Sequence, residues 1–342
     1  MTPCRLASLA LAALLALASA TRADIEIRGV NLAHLHRGDV GYGSDACRQQ
    51  LDDLQSLGSN WVAINPFAYM GDINTPSLRF GGDRSMGLEG QKRTIADSHA
   101  RGIKVMIKPH IWSGQFGREG KMPIDIAMTS EADWDAWFDQ YGQYILAYAK
   151  FAQESGADAL CIGCELQGTS KQTERWKKLI AEVRKVYTGY LTYAAAFEEW
   201  RQIEFWPELD VVGINAYWKL ADSESASDDE IRAGWQRVFD DLEPFANRIG
   251  KGICFTELGY STSTRAAMEP WSWTVEREDP QLQERLFRIA LEETAKRPFI
   301  KGVFFWKWFT AANWQKFERR DAFAIQDTQA IRQILKEQWT KE

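Results

Sequence analysis

Two glutamates stand where an apolar run should simply stop. Ala159–Glu165 reads ALCIGCE and Gly252–Glu257 reads GICFTE, each a buried-strand pattern that ends on a carboxylate. An acid at the C-terminal end of a buried strand needs a partner or a purpose. Two such acids facing each other across a cleft are what glycoside hydrolysis requires. One stays protonated to donate to the leaving oxygen, while the other stays ionised to attack or stabilise the sugar cation. A helix cap or an arginine partner accounts equally well for one strand-end glutamate; the repetition of the design favours the chemical account.

Positioning two acids this way is the work of a particular architecture. Eight short apolar runs alternate with helical patterns: Ile27–Asn31, Trp61–Asn65, Lys104–His110, Ala159–Glu165, Gly189–Ala194, Asp210–Tyr217, Gly252–Glu257 and Gly302–Trp308. Between them, Cys47, Leu51, Leu54 and Leu57 recur at helical spacing, as do Leu282, Leu286, Ile289 and Ala290. Ser130-Glu-Ala-Asp133 reads as a capping box opening a long helix through Phe151, and a last helix is expected over Thr328–Trp339. Gly58, Gly102, Gly156 and Gly250 each precede a strand, where a left-handed residue would end the foregoing helix. Alternation alone also permits a doubly wound sheet. Eight units with no linker, and chemistry gathered at strand ends, favour an α/β fold of the single (β/α)8 TIM barrel type over residues 24–342. The long segments Gly81–Gly90, Trp112–Pro123, Lys219–Asp229 and Ser261–Asp279 all follow strands, so elaborated loops crowd one face. Asp222–Glu230 reads as a solvated loop leading into a helix.

The N-terminus reads as a cleaved signal peptide, residues 1–23. Arg5 precedes an apolar stretch too short to span a bilayer, followed by Ala18-Ser19-Ala20, a small-x-small cleavage pattern. The mature chain is therefore expected to be secreted or periplasmic, without a membrane span, and monomeric. A net charge of −6 with no basic stripe argues against nucleic acid as a partner. Cys4 leaves with the leader. Cys47, Cys161, Cys164 and Cys254 could pair in an oxidising compartment, but three lie in apolar strand runs, which suits free buried thiols. Cys161-x-x-Cys164 has no second pair or histidine set to complete a zinc site.

The pieces KPHIW (108–112), IGCELQGT (162–169), FWPELDVVGINAYW (205–218), FTELGY (255–260) and GVFFWKW (302–308) together resemble glycoside hydrolase family 113, the β-mannanases. That family sits among the clan A barrels, and the resemblance runs from about Gly29 to Trp308. It implies Glu165 as general acid/base and Glu257 as nucleophile of a retaining double displacement that cleaves β-1,4-mannosidic bonds in polysaccharides or oligosaccharides. It implies Tyr217 as the hydroxyl bonded to the nucleophile, His110 as a wall of the sugar site, and Trp306 as the aromatic floor. Asn215 falls in the family-like INAY stretch. Lys108 shares the face of His110 if strand alternation holds, or fills the barrel. Asn31 and Asn65 end other strands. Because sugar C–H faces stack on indoles, Trp112, Trp218, Trp271, Trp273 and Trp308 are further subsite candidates, with helix packing as the alternative for each. Two departures stand out. Cys164 occupies the place where the clan usually has an asparagine bonding the sugar 2-hydroxyl, and a thiol is a poor partner. Lys219 stands where the family tends to carry proline.

Three other readings compete. His34-Leu35-His36 mimics a metal-ligand pair, but only His99 and His110 remain to complete it, so no metal or organic cofactor is expected. A carbohydrate-binding barrel without activity would need no second acid. Another clan A specificity, such as a glucanase, xylanase or exo-mannosidase, would share both acids, since specificity lives in the loops.

Overall fold

The computed structural model describes residues 26–82, 86–318 and 321–340, so the expected leader, residues 1–23, lies outside the described residues. Eight parallel strands close into a barrel. They are β1 (Ile27–Ala33), β2 (Trp61–Ile64), β3 (Lys104–Ile107), β4 (Ala159–Cys164), β5 (Tyr190–Ala195), β6 (Val212–Asn215), β7 (Ile253–Leu258) and β8 (Ile300–Phe309). Each pairs with its neighbour in sequence, and β1 pairs with β8 to close the ring. The (β/α)8 expectation holds, and every barrel strand overlaps one of the eight runs.

Alternation along the strands creates two apolar layers. Ile27, Trp61, Ala63, Met106, Cys161, Cys254 and Phe304 fill the lumen. Gly29 is part of that packing, because a Cβ there would come within 2.6 Å of the Phe304 ring. Val62, Ile64, Leu160, Ile162 and Phe255 point outward into the larger core under the helices. Cys47, Cys161, Cys164 and Cys254 are free and buried, as expected.

The outer helices are α1 (Asp45–Ser56), α2 (Leu88–His99), α3 (Glu131–Ser155), α4 (Thr173–Arg184), α5 (Asp228–Ile249), α6 (Pro280–Ala295) and α7 (Gln329–Trp339). Ser130 caps α3 by accepting the Asp133 amide at 3.1 Å, and Ser227 forms a capping box with Glu230 at the head of α5. Gly58, Gly102, Gly156 and Gly250 all take positive φ.

Two units depart from the regular repeat. The return from β5 to β6 uses two 3-10 turns, Glu199–Gln202 and Trp206–Glu208, in place of a long helix. The run expected as one strand over Lys104–His110 is two: β3 ends at Ile107, and His110–Ser113 joins a side sheet with Phe67–Met70 and Leu78–Arg79. Pro109 supplies the physical reason, since it lacks the N–H that a continuing barrel ladder would use. The acidic segment 222–230 is more engaged than a solvated loop, because Asp228 pairs with Arg285 at 2.7 Å and Arg288 at 2.5 Å.

Candidate active site

Glu257 enters the site through a register change. Against β6, Phe255 pairs with Ile214, yet Glu257 pairs with Asn215, so β7 carries one extra residue there. That bulge turns Thr256 and Glu257 toward the same polar cluster. Lys108 Nζ donates to Glu257 Oε1 at 2.5 Å, and Tyr217 Oη donates to Oε2 at 2.8 Å. Lys108 is fully buried and the Glu257 side chain is 8% exposed. Burial alone would lower the pKa of the lysine, but the Glu257 carboxylate overrides it and holds the ammonium above its usual value. Glu257 Oε2 retains a lone pair for attack after accepting the one bond from Tyr217.

Glu165 sits just past β4, where a second bulge falls. Cys161 pairs with Thr192 and Cys164 with Ala194, so three steps along β4 match two along β5. Glu165 then turns at φ +54, a left-handed conformation rare for a side chain of its size. Its Oε1 accepts a hydrogen bond from Asn215 Nδ2 at 3.0 Å, while Asn215 Oδ1 accepts from Thr256 Oγ1 at 2.9 Å. Burial, then the negative charge of Glu257, push the Glu165 carboxyl up to about 7, against the pull of the Asn215 amide and of Lys108. A carboxyl at about 7 is half protonated at neutral pH and suited to donate a proton.

The remaining walls come from the ends of β1, β2, β3, β4 and β8. Asn65 Nδ2 donates to Asn31 Oδ1 and contacts His110 Nε2, both at 3.2 Å. Burial, then Lys108, hold His110 well below the usual histidine value, so a neutral ring with Nε2 accepting is the consistent state. His110 stacks on Trp306, with ring centroids 6.1 Å apart and planes 24° apart. Lys108 Nζ lies 5.4 Å from the same indole centroid. Cys164 Sγ contacts Glu257 Oε1 at 4.0 Å and accepts from Asn215 Nδ2 at 3.5 Å. Glu165, Glu257, Lys108, His110, Cys164, Asn215, Tyr217 and Trp306 therefore form one connected cluster, with Asn31 and Asn65 behind it.

The tryptophans divide. Trp218 is 8% exposed and packs outward on Trp235 and Phe255, which corrects the subsite reading. Trp308 is likewise outside the site: it is fully buried, and its indole donates to Gln50 Oε1 at 2.8 Å. The cause is a third bulge, because Phe305 pairs with Val30 but Trp308 with Leu32, and the extra residue breaks strict alternation after Trp306. Trp112 is 48% exposed at the edge of the side sheet, its ring edge-on to Phe116. Trp271 is 43% exposed and stacks on Phe197. Trp273 is 53% exposed and lies 4.7 Å from Phe323, which in turn contacts Tyr217, so it flanks the mouth.

Sequence reasoning missed Thr256, Tyr193 and Glu199. Thr256 was signalled only by adjacency to Glu257. Glu199 lies in a segment, FEEW, with no strand or helix period to flag it.

His110, Cys164 and Glu257 present ligand atoms within 4.8 Å of one another, a set that could hold a metal ion. Lys108 already supplies a positive charge at the Glu257 carboxylate, and a buried ammonium opposes a second cation there. His34 is engaged elsewhere, its Nδ1 accepting the Tyr42 amide at 3.1 Å.

Residues 34–327 match the profile of Glycoside Hydrolase Family 113. The chain belongs to that family. It is a glycoside hydrolase, and its substrate is a carbohydrate. A search of curated protein sequences finds no match. Among solved structures, a family 113 β-1,4-mannanase complex superposes on this family 113 chain with a TM-score of 0.81 at 23% identity, covering 93% of this chain and all (100%) of the other. The family 113 β-mannanase AaManA from Alicyclobacillus acidocaldarius, bound to ManMIm, gives 0.79 at 22% identity, covering 92% and 97%. A family 5 mannosidase from Rhizomucor miehei gives 0.60 at 12% identity, covering 92% of each chain. At these identities the likeness is one of fold. Among the described residues no helix is long and apolar enough to cross a membrane.

Proposed function

We infer that this hydrolase is a retaining endo-β-1,4-mannanase, with one catalytic domain over residues 24–342 exported behind a leader of residues 1–23. The observation that carries the chemistry is the unequal treatment of two buried carboxylates. Glu257 is held by an ammonium and a phenol, which suits an ionised nucleophile. Glu165 has a carboxyl near 7, which suits a proton donor. In the first step Glu257 attacks the anomeric carbon while Glu165 gives its proton to the leaving oxygen. In the second, Glu165 takes a proton from water, which displaces Glu257 and restores the starting anomer. Trp306 offers a flat face beneath the sugar and His110 a polar edge beside it. The mannan preference is supported by the family and by the mannanases it superposes on.

Proton NMR of early hydrolysis on mannohexaose tests this. The β-anomer appearing first supports the double displacement, whereas the α-anomer appearing first rules it out. Cys164 favours a second reading, another clan A β-glycosidase, because a thiol is a weak partner for the 2-hydroxyl that distinguishes mannose from glucose. A panel of mannan, glucan and xylan, with product lengths measured, decides between them.

A further inference from the structure

One buried acid takes no part in the chemistry above. Glu199 is fully buried at the first position of the 3-10 turn that replaces the helix after β5. Both of its oxygens are occupied: Tyr193 Oη donates to Oε1 at 2.6 Å, and the Ala196 amide donates to Oε2 at 2.8 Å. Having given its only proton to Glu199, the Tyr193 hydroxyl has only lone pairs left to offer. It accepts the amide N–H of Leu166 at 2.9 Å.

Leu166 directly follows Glu165. Among the described residues Glu165 is the non-glycine residue with positive φ, a conformation that persists only where its surroundings enforce it. Here the peptide units on both sides are held. The Glu165 amide donates to Ala194 O at 2.8 Å, and the Leu166 amide to Tyr193 Oη. The Tyr193 ring is itself wedged, edge-on to Trp176 and Phe205, and close enough to the β4 backbone that a Cβ at Gly163 would meet it at 2.6 Å.

We propose that Glu199, acting through the Tyr193 hydroxyl, is a positioning residue that fixes the backbone turn at Glu165 and so aims the proton donor at the leaving oxygen. A carboxylate suits this task because it only accepts, and two donors converge on it. An amide at 199 would have to turn its NH2 toward either the Tyr193 hydroxyl or the Ala196 N–H, and one of them would lose its acceptor. Burial pushes the Glu199 carboxyl upward, so packing alone gives the fold no reason to keep an acid there, while the bonds from Tyr193 and Ala196 pull it back toward the ionised form that only accepts.

This rests on Glu165 being the acid, and the experiment separates the two. kcat/KM, which reports the glycosylation step, is measured for the wild type and for Glu199→Gln, Tyr193→Phe and Glu165→Ala. Two substrates of the sugar identified by the polysaccharide panel are compared. One is an oligosaccharide, whose departing alcohol needs a proton; the other is the dinitrophenyl glycoside, whose leaving group does not. With the acid mis-aimed, Glu199→Gln and Tyr193→Phe lose about 10- to 100-fold on the oligosaccharide, part of the 10²–10⁴ that a general acid contributes. On the dinitrophenyl substrate they stay within about threefold, following the same selectivity as Glu165→Ala. Equal losses on both substrates mark a structural role and overturn the proposal, as does no loss on either. Should Glu199→Gln fail to fold, Tyr193→Phe carries the test alone, since it deletes a single oxygen. If Glu165→Ala is itself indifferent to the leaving group, the acid assignment falls and the Glu199 proposal with it. If Glu165→Ala discriminates and the other two do not, only the Glu199 proposal falls.

Discussion

The two strand-end glutamates are the same residue in the same kind of place, and the protein treats them oppositely. Glu257 lies on a bulge whose neighbours deliver an ammonium to one oxygen and a phenol to the other. Glu165 lies on a left-handed turn with a single neutral amide on its carboxyl and a negative charge nearby. Proximity to Lys108 is what separates them: the cation is bonded to Glu257 and acts on Glu165 only at a distance. A pair of acids becomes a nucleophile and a donor when one neighbouring charge is placed asymmetrically between them.

The largest test of that asymmetry removes each acid in turn. Glu257→Ala is expected to lower kcat by about 10⁴-fold or more on every substrate, the scale seen when a covalent nucleophile is lost. Glu165→Ala is expected to lose less in kcat/KM, and only where the leaving group needs a proton, although its kcat falls on every substrate because Glu165 also takes the proton from water. Equal, substrate-independent losses in kcat/KM would erase the distinction. Next comes the charge itself. Lys108→Met leaves a buried carboxylate without its cation, and breaking such a pair costs about 3–5 kcal/mol. Urea denaturation should register that loss, together with a fall in activity; a variant as stable as the parent would mean the pair is not buried as described.

A smaller effect sharpens the acid side. The rate should fall as pH rises through about 7, because Glu165 gives up the proton it must donate. The Asn215 amide pulls that carboxyl downward, so Asn215→Ala should shift the alkaline limb to higher pH. A limb that stays in place, or moves down, contradicts the assignment. Smallest of all is Cys164→Asn, which offers the 2-hydroxyl an amide in place of a thiol. One neutral hydrogen bond is worth about 0.5–1.5 kcal/mol, so kcat/KM on mannan should rise roughly twofold to tenfold. A fall would show that the site has been shaped around sulfur.

Much of this was legible in the chain. The eight apolar runs announce the barrel because parallel strands must be buried on both faces, and that requirement writes itself into local composition. The acids at 165 and 257 were visible for the same reason, since a charge interrupts an apolar pattern. Trp218 was misjudged and Trp308 left open because composition marks a tryptophan as useful without saying which way it faces. The one-strand reading through His110 ignored what Pro109 does to a ladder. Glu199 left no local trace at all. Its meaning depends on Tyr193 on β5 reaching across to Leu166 beyond β4.

The sequence by itself determined the fold, the two acids and the ring of strand ends that carries them, since each follows from burial acting residue by residue along the chain. Only the tertiary structure decided where the side chains point. Extra residues in β4, β7 and β8 shift the pairing just below the mouth, and one inserted residue turns every later side chain to the opposite face. Whether a bulge forms is settled by the partner strand, not by the strand that contains it. The division of labour between Glu165 and Glu257 is non-local in the same way, because it was fixed by a lysine that reaches Glu257 from the end of a different strand.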